Sequence, residues 1–340
     1  MYKTSEWVSL GHPDKMADFI SCYILDRYLE QDPMTRYALE VMIKDNIVTL
    51  GGEITSKAQY SAEDIAAFVR VAVNQIGYTR AYQLFWGEEN AISGNNVLVA
   101  EHISQQSPDI AQGVNKSGWG DHGIFWGMAT NTPETDYMPK DWWLARKIGK
   151  HLYDTRYAGI DIKTQVTMKD DRIDEIVVAV PMNHRHFDAD IAAAVAYCCN
   201  GSREYKLHVN GTGKFVKHGH IGDCGVTGRK LAVDFYGGNC RIGGGSPWMK
   251  DGTKADLSLN LLARPPRFRV ALFLNNTGYV SKTAHNVAKT RFELAETNRS
   301  PPVRNGEFWR KLASETPRKV RRVILRGEFS AATFFAQPSN

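Results

Sequence analysis

The sequence lacks the features that mark membrane-spanning, secreted and zinc-binding proteins. It contains no apolar run near the ~20 residues that a membrane-spanning helix needs. Its N-terminal stretch lacks the apolar core of a signal peptide. Its five cysteines are an odd number without C-x-x-C spacing, which argues against a disulfide framework and a zinc site. We therefore expect a protein of the reducing cytoplasm.

A strong net charge is also absent, since the formal charge at pH 7 is only +5. The charge is nevertheless uneven: residues 257–340 carry fifteen Lys and Arg against five acidic residues, and residues 1–256 carry 27 against 32. A basic region of this kind is typical of some nucleic-acid-binding surfaces. A solvated basic face, or one paired with an acidic neighbour, explains the same composition, and we favour that interpretation.

A Walker P-loop is missing, because no G-x4-G-K-[ST] spacing occurs. Residues 222–256 instead contain nine glycines interleaved with five cations and four aspartates. Glycine lets backbone amides approach an anion, and Lys and Arg complete a cradle for polyphosphate. Carboxylates in the same place suggest Mg²⁺. The alternative is a set of glycine-rich hairpin loops with solvated charges. The number of charged side chains of both signs favours a binding site for polyphosphate and Mg²⁺.

Hydrophobic periodicity and turn residues predict several elements. We expect helices over residues 14–31, 60–76 and 140–152, and strands over 37–44 and 47–50 joined at Asp45-Asn46. The first helix shows an apolar stripe with polar residues opposite. Residues 105–127 are glycine-rich without a helical period, which predicts a long functional loop.

An internal repeat links two parts of the chain. MIKDNI at 42–47 resembles MKDDRI at 168–173, and the D-I-A-A of 64–67 recurs at 190–193 with the same offset. Both copies predict a strand, a tight turn, a strand and an Ala-rich helix, and so two related α+β modules. A third unit is conceivable over residues 268–295, without a residue-level match.

Four ordered blocks, at residues 5–15, 50–56, 106–114 and 222–230, make the chain resemble the S-adenosylmethionine synthetase family over roughly residues 5–256. The resemblance implies an α+β fold of three related modules of β-sheet with helices on one face, in a pseudo-threefold arrangement. We expect one module from residues 1–12 with 124–220, a central one from 13–123 with a lid loop at 112–123, and a third from 221–340.

The resemblance also implies an activity. The family makes S-adenosylmethionine from ATP and L-methionine: the methionine sulfur attacks ribose C5′, and the released tripolyphosphate is hydrolysed to pyrophosphate and phosphate. It uses Mg²⁺, two ions per site, and K⁺, and it forms homodimers with active sites at the interface. Neither a membrane nor nucleic acid is an expected partner.

Site residues carried over by the resemblance fall into five groups. They are, for catalysis, His12, Lys163, Arg229, Lys230 and Lys250; for ATP, Asp161, Lys214, Phe215, Asp223 and Ser246; for methionine, Glu53, Gln112, Asp223 and Lys254; in the lid, Asp121; and for metals, Asp14 and Asp256 with Mg²⁺ and Glu40 with K⁺.

Physical chemistry supports these roles. A tripolyphosphate leaving group carries several negative charges, so fixed cations and Mg²⁺ stabilise the transition state. A thioether sulfur is a neutral nucleophile and needs orientation rather than a general base. Each residue alone also has an ordinary structural explanation: His12 as a helix-start residue, Lys163 as a strand-edge lysine, Glu53 as a turn residue.

The sequence departs from the family pattern at Leu10, where the family has an acidic residue, at His122 in place of glutamine in the lid motif, and at Pro247-Trp248. These changes bear on rate, nucleotide choice and oligomeric state more than on reaction type. Two rival functions remain open: a degenerate relative that binds ATP without transferase activity, and a basic nucleic-acid-associated protein.

Overall fold

The structure, a computed structural model, describes residues 1–32, 35–108, 125–130, 132–242 and 322–325. For residues 125–127 and 322–325 the backbone alone is described. Within these ranges, no helix is both long enough and apolar enough to cross a membrane. The conceivable third repeat unit over residues 268–295 lies outside them.

The described strands are β1 (Tyr2–Val8), β2 (Arg36–Lys44), β3 (Ile47–Thr55), β4 (Leu98–Ser104), β5 (Phe125–Met128), β6 (Lys163–Lys169), β7 (Arg172–Ala179), β8 (Lys206–Val209), β9 (Gly225–Val226) and β10 (Arg322–Leu325). The described α-helices are α1 (Pro13–Gln31), α2 (Ala62–Ile76), α3 (Arg80–Trp86), α4 (Lys140–Thr155), α5 (Asp188–Cys198) and α6 (Leu231–Phe235). Short 3-10 turns lie at 94–96, 133–135 and 219–221.

Two four-stranded sheets share one plan. The first has the strand order β1-β6-β7-β8 and the second β9-β2-β3-β4. In each, an antiparallel hairpin is followed by a helix and by a strand parallel to the second hairpin strand, which is β8 on β7 and β4 on β3. The remaining strand, β1 or β9, is antiparallel to the first hairpin strand. The sequence repeat thus corresponds to two copies of one unit, and the α+β class is confirmed.

Three boundary predictions need correction. Strand β3 continues past its glycines to Thr55, so Glu53 lies in a strand and not in a turn. Helix α2 begins at Ala62, two residues late, because Ser61 and Asp64 form a capping box that stops it there. The loop expected over 105–127 contains strand β5 at its end, because distant β10 supplies the pairing partner.

Helix α1 is buried on nearly all sides, whereas the apolar stripe predicted one solvated polar face. It packs against β2, β9 and α2. Polar residues are therefore carried into the interior, among them Lys15, Asp18 and Ser21, each less than 1% exposed. Buried polar groups need hydrogen-bond partners, and Ser21 finds one by donating to the carbonyl of Leu39.

One continuous apolar core joins the two sheets. It includes Trp7 and Val166 of the first sheet, Leu39 and Leu50 of the second, and the inward faces of α1, α2, α4 and α5. Alternation along β2 points every second side chain into this core. The other face of the second sheet stays largely exposed.

Two buried histidines lie at the 3-10 turn over residues 219–221. His218 is 1% exposed and His220 is fully buried, packed edge-on against Tyr78 at 5.2 Å between ring centroids. Neither ring nitrogen of His220 has a hydrogen-bond partner among the described residues. Burial lowers the pKa of His218 to about 4, and burial together with His218 lowers that of His220 to about 3.

These histidines should make the fold acid-sensitive. Because their ordinary pKa is near 6.5, the unfolded chain binds more protons between pH 6.5 and pH 4, so the free energy of unfolding decreases as the pH falls through that window. We expect about 1 kcal/mol per histidine between pH 6.5 and 5.5. His220→Leu should remove about that share in urea titrations at the two pH values. The exposed His184, replaced by Leu, is the control, and an unchanged slope in His220→Leu would contradict the assignment.

Candidate active site

The first turn of α1 is held against the chain that leads into β6. His12 is the N-cap of α1, and Pro13 follows at a position where its fixed φ suits a helix start. Gly11 allows a close approach, because a Cβ at this residue would lie 2.2 Å from the carbonyl oxygen of Ile160. The ordinary structural explanation of His12 as a helix-start residue is therefore correct, and it leaves the second ring nitrogen available.

The ring of His12 is a neutral hydrogen-bond donor. Its side chain is 1% exposed, and Nδ1 accepts the backbone N–H of Asp14 at 3.1 Å. An accepting nitrogen carries no proton, so the neutral ring bears its hydrogen on Nε2. Burial, then the positive charges of Lys163 and Lys230, lower the pKa of His12 to about 3. Nε2 makes no hydrogen bond within the described part of the chain.

Asp14 is the centre of a charge cluster beside this ring. Its Oδ2 accepts from Lys230 Nζ at 2.6 Å and its Oδ1 from the N–H of Val226 at 2.9 Å, while Arg229 Nε lies 3.7 Å from Oδ1. Burial by itself raises the pKa of Asp14, but the hydrogen bonds and charge of Lys230 and the Val226 N–H outweigh it and leave the pKa below its ordinary value. Asp14 is thus ionised near neutral pH.

The segment 225–230 carries these cations to α1. It begins as β9, which pairs with β2 through Met42 and Ile43. Gly225 passes so close to α1 that a Cβ would lie 2.1 Å from the carbonyl oxygen of Pro13. A glycine is needed here for close approach of two backbones, which agrees with the glycine-rich character of residues 222–256.

Glu40 joins the site through Thr227. The Thr227 hydroxyl donates to Glu40 Oε2, and its oxygen accepts the N–H of Val41 at 3.1 Å. Glu40 lies on the exposed face of the second sheet, opposite Gly51 of β3. The predicted solvent-facing position and the predicted metal-ligand role of Glu40 are therefore compatible.

Asp161 offers a buried acceptor in the chain that leads into β6. It is 5% exposed, its Oδ2 accepts the N–H of Gly219 at 2.8 Å, and its Oδ1 has no hydrogen-bond partner among the described residues. Burial raises the pKa of Asp161 to about 6 against the opposing effects of the Gly219 N–H and Lys163. An unpaired carboxylate oxygen in this position fits a donor supplied by a ligand.

A hydrogen-bonded chain fixes the backbone before Asp161. The Ser9 hydroxyl donates to the carbonyl of Ile160 and accepts from Ile162 N–H. The N–H of Ile160 donates to Tyr82 Oη at 3.1 Å, and Tyr82 lies 2.6 Å from His218 Nε2. Because His218 Nδ1 lies 2.6 Å from a carbonyl oxygen and must donate to it, Nε2 accepts from Tyr82.

The remaining described candidates lie farther out. Asp223 is exposed, and its charge raises the pKa of Asp161. Lys214 is exposed and makes no hydrogen bond or ion pair within the described residues, and Phe215 is half-buried beside it. Glu53 lies on the same outward face as Glu40, opposite Ala38. The structure thus brings together His12, Asp14, Asp161, Lys163, Arg229 and Lys230, with Glu40 at the edge.

Several predicted residues lie outside the described ranges. They are Gln112, Asp121 with the lid at 112–123, Ser246, Lys250, Lys254, Asp256 and the departures His122, Pro247 and Trp248. Their roles, like the division into modules, stay predictions. Leu10 is described and is buried in the core.

The donors fit cations that complete their shell with substrate. The described residues contain no group of three or more His, Cys, Asp or Glu side chains able to hold a metal by themselves. Mg²⁺ is commonly held by one or two carboxylates together with substrate phosphates, and Asp14 is such a carboxylate. Glu40 presents a hard oxygen at the edge of the same cluster.

Sequence reasoning missed a second charged cluster behind the first. Lys15 and Asp18 of α1 and Asp234 of α6 are all buried and in contact. The available signal was the charged pair Lys15 and Asp18 three residues apart in a helix with apolar residues on several sides. The assumption of one solvated polar face hid it.

Comparisons with known proteins find similarity to one family. Family models of the S-adenosylmethionine synthetase N-terminal, central and C-terminal domains match residues 1–108, 116–215 and 217–271. The S-adenosylmethionine synthase of Brachyspira hyodysenteriae is 37% identical over 295 residues, 77% of this chain and 72% of that protein. A solved structure, described as an unusual S-adenosylmethionine synthetase from Campylobacter jejuni, is 32% identical with a TM-score of 0.67, covering 77% of this chain and 73% of that one.

The close approach of residue 225 to α1 can be tested. Gly225→Ala places a Cβ against backbone atoms that cannot move aside, so it should lower the free energy of unfolding by about 1–3 kcal/mol. Gly211→Ala is the matched control, since a Cβ there meets nothing within 4 Å. Urea unfolding of both variants measures the difference. Equal stability would show that segment 225–230 does not lie against α1 as described.

Proposed function

This chain belongs to the S-adenosylmethionine synthetase family and is a methionine adenosyltransferase, and we propose that it transfers the adenosyl group of ATP to the sulfur of L-methionine at the start of α1. The methionine sulfur attacks ribose C5′ with a lone pair, the C5′–O bond breaks, and its electrons leave with tripolyphosphate. Water then cleaves the tripolyphosphate to pyrophosphate and phosphate in the same site.

One observation carries the proposal: the neutral ring of His12 lies near fixed cations, and its donor, Nε2–H, has no hydrogen-bond partner among the described residues. Negative charge develops on the bridging oxygen as the C5′–O bond breaks. A donor aimed at that oxygen stabilises the transition state more than the ground state. Because the pKa of His12 lies far below neutrality, the ring keeps this form throughout the physiological range.

The cations act on the phosphates. Lys230, Arg229 and Lys163 surround His12 and Asp14, and they would bind the tripolyphosphate in both steps. Fixed cations of this kind need no reorganisation when the charge develops. Mg²⁺, held by Asp14 and by Asp256 outside the described residues, would supply further neutralisation of phosphate charge. Glu40 would hold K⁺ at the edge.

The nucleoside and methionine would bind next to this cluster. The unpaired Oδ1 of Asp161 fits a ribose hydroxyl, which would complete its hydrogen bonding. Lys214, Phe215, Asp223 and Ser246 would form the rest of the nucleotide site. Glu53, with Asp223, Gln112 and Lys254, would hold methionine.

A second copy of the chain would cover the exposed face of the second sheet. Three apolar residues on that face are largely exposed: Met42 at 45%, Ile47 at 49% and Leu98 at 58%. They share the face with Glu40 and Glu53, because the register places Met42 opposite Thr49 and Ile47 opposite Leu98. A homodimer formed there would bury the apolar residues and enclose the two glutamates.

The reaction itself is the first test. Purified protein with ATP, L-methionine, Mg²⁺ and K⁺ should form S-adenosylmethionine, with pyrophosphate and phosphate in equal amounts. Product analysis by chromatography measures all three. Binding of ATP without product under any metal condition would favour the degenerate relative instead, and omission of methionine is the control.

His12 should separate the two half-reactions. His12→Ala removes both the helix cap and the Nε2 donor, whereas His12→Asn keeps a side-chain acceptor suited to the cap. Both should slow adenosyl transfer by roughly 10- to 150-fold, the effect of losing one strong hydrogen bond. Hydrolysis of added tripolyphosphate breaks a bond farther along the chain and should change less.

The measurement is single-turnover transfer beside steady-state tripolyphosphate hydrolysis. Lys230→Met serves for comparison and should impair both activities, since its ammonium faces the phosphates in each. Equal losses of transfer and hydrolysis in His12→Asn would make His12 a general phosphate binder and not a donor to the bridging oxygen.

A further inference from the structure

A buried ionic cluster links α1 to the segment that carries the phosphate-facing cations. Lys15 Nζ donates to Asp234 at 2.8 and 2.7 Å and to Asp18 Oδ2 at 3.2 Å. The three side chains are 0%, 3% and 1% exposed. Asp18 uses its other oxygen, Oδ1, to accept the backbone N–H of Gly228 at 2.9 Å.

The charge of this cluster is not balanced by its own members. Two carboxylates share one ammonium in the interior, and burial followed by opposing effects of Lys15 and Asp234 leaves the pKa of Asp18 raised to about 7. Apolar replacements of a buried ion pair are often neutral or stabilising. Stability alone therefore does not explain this cluster. A role in positioning the residues attached to it explains it better.

The contacts of this cluster attach one short segment, residues 228–234, to α1. Gly228 is anchored on Asp18, and Asp234 is anchored on Lys15, so both ends of residues 228–234 are attached to α1. Gly228 has a φ of +73°, which allows the chain to turn directly after its anchor. The cations Arg229 and Lys230 lie between the two anchors.

We propose that Asp18 and the Lys15–Asp234 pair form a clamp that positions Arg229 and Lys230 for the tripolyphosphate. This inference rests on the function proposed above, and it assigns Asp18, Lys15 and Asp234 as positioning residues that do not touch substrate. The backbone before and after Lys230 is attached to α1, and these two attachments hold Lys230 near Asp14. The cations thus stand in place before the phosphates arrive.

Two substitutions of Asp18 separate the hydrogen bond from the charge. Asp18→Ala removes the acceptor for the Gly228 N–H, while Asp18→Asn keeps a carbonyl oxygen there and leaves Lys15 paired with Asp234. Asp32→Ala is the matched control: Asp32 is also a buried carboxylate of the α1 region, at its C-terminal end, and accepts the N–H of Lys57 at 2.8 Å. It lies away from the cation segment.

The probe is inorganic tripolyphosphate with Mg²⁺, measured by calorimetric binding and by kcat and KM of its hydrolysis, beside urea unfolding of each variant. Asp18→Ala should weaken tripolyphosphate binding about tenfold and lower kcat, and Asp18→Asn should recover most of both. Asp32→Ala should lose stability with the dissociation constant of tripolyphosphate unchanged.

Unchanged binding and turnover in folded Asp18→Ala would overturn the clamp, as would an equal effect of Asp32→Ala. If Asp18→Ala does not fold, Asp234→Asn replaces it as the test. Asp234→Asn should also weaken tripolyphosphate binding, and binding as tight as that of the parent protein would contradict the proposal. Failure of the proposed function is seen separately, because the parent protein would then form no S-adenosylmethionine, whatever its binding of tripolyphosphate.

Discussion

The close contact between the first turn of α1 and residues 225–230 is the constraint on which the site depends. Two backbones meet there without an intervening side chain, because Gly225 has no Cβ to collide with the carbonyl of Pro13. Gly11 allows a similar close approach between the start of α1 and Ile160, in the chain that leads into β6. The approach brings Asp14 within hydrogen-bond distance of Lys230 and places His12 beside both. Without it, the charges that act on the phosphates would belong to separate parts of the fold.

Burial sets the chemical state of these groups. It keeps His12 neutral among cations, and it would raise the pKa of Asp14 if Lys230 and the Val226 N–H did not outweigh it by stabilising the carboxylate. The same low-polarity surroundings make an unsatisfied acceptor such as Asp161 Oδ1 costly, so a ligand hydroxyl has a binding advantage there. The neutral donor His12, the ionised Asp14 and the unpaired acceptor Asp161 Oδ1 thus lie in one region of the structure.

The two repeated units contribute different residues to the site. The first sheet contributes the segment that bears Asp161 and Lys163, and its backbone is fixed through Ser9 and Tyr82. The second sheet receives β9 and thereby segment 225–230, and its outward face carries Glu40. Both sheets meet in one apolar core around α1, so movement of either unit would displace the cations relative to the ring of His12.

Local sequence determined the helices α1, α2 and α4, the hairpin β2–β3, the repeat and the family, because these depend on short-range periodicity, turn residues and ordered motifs. Tertiary structure alone decided the partners. Strand β5 needs distant β10, the charged side of α1 is buried because β9 covers it, and the Lys15–Asp18–Asp234 cluster joins residues far apart in the chain. A hydrophobic pattern indicates which residues avoid water, but whether a charged residue meets water or a counter-ion is settled only when distant segments come together.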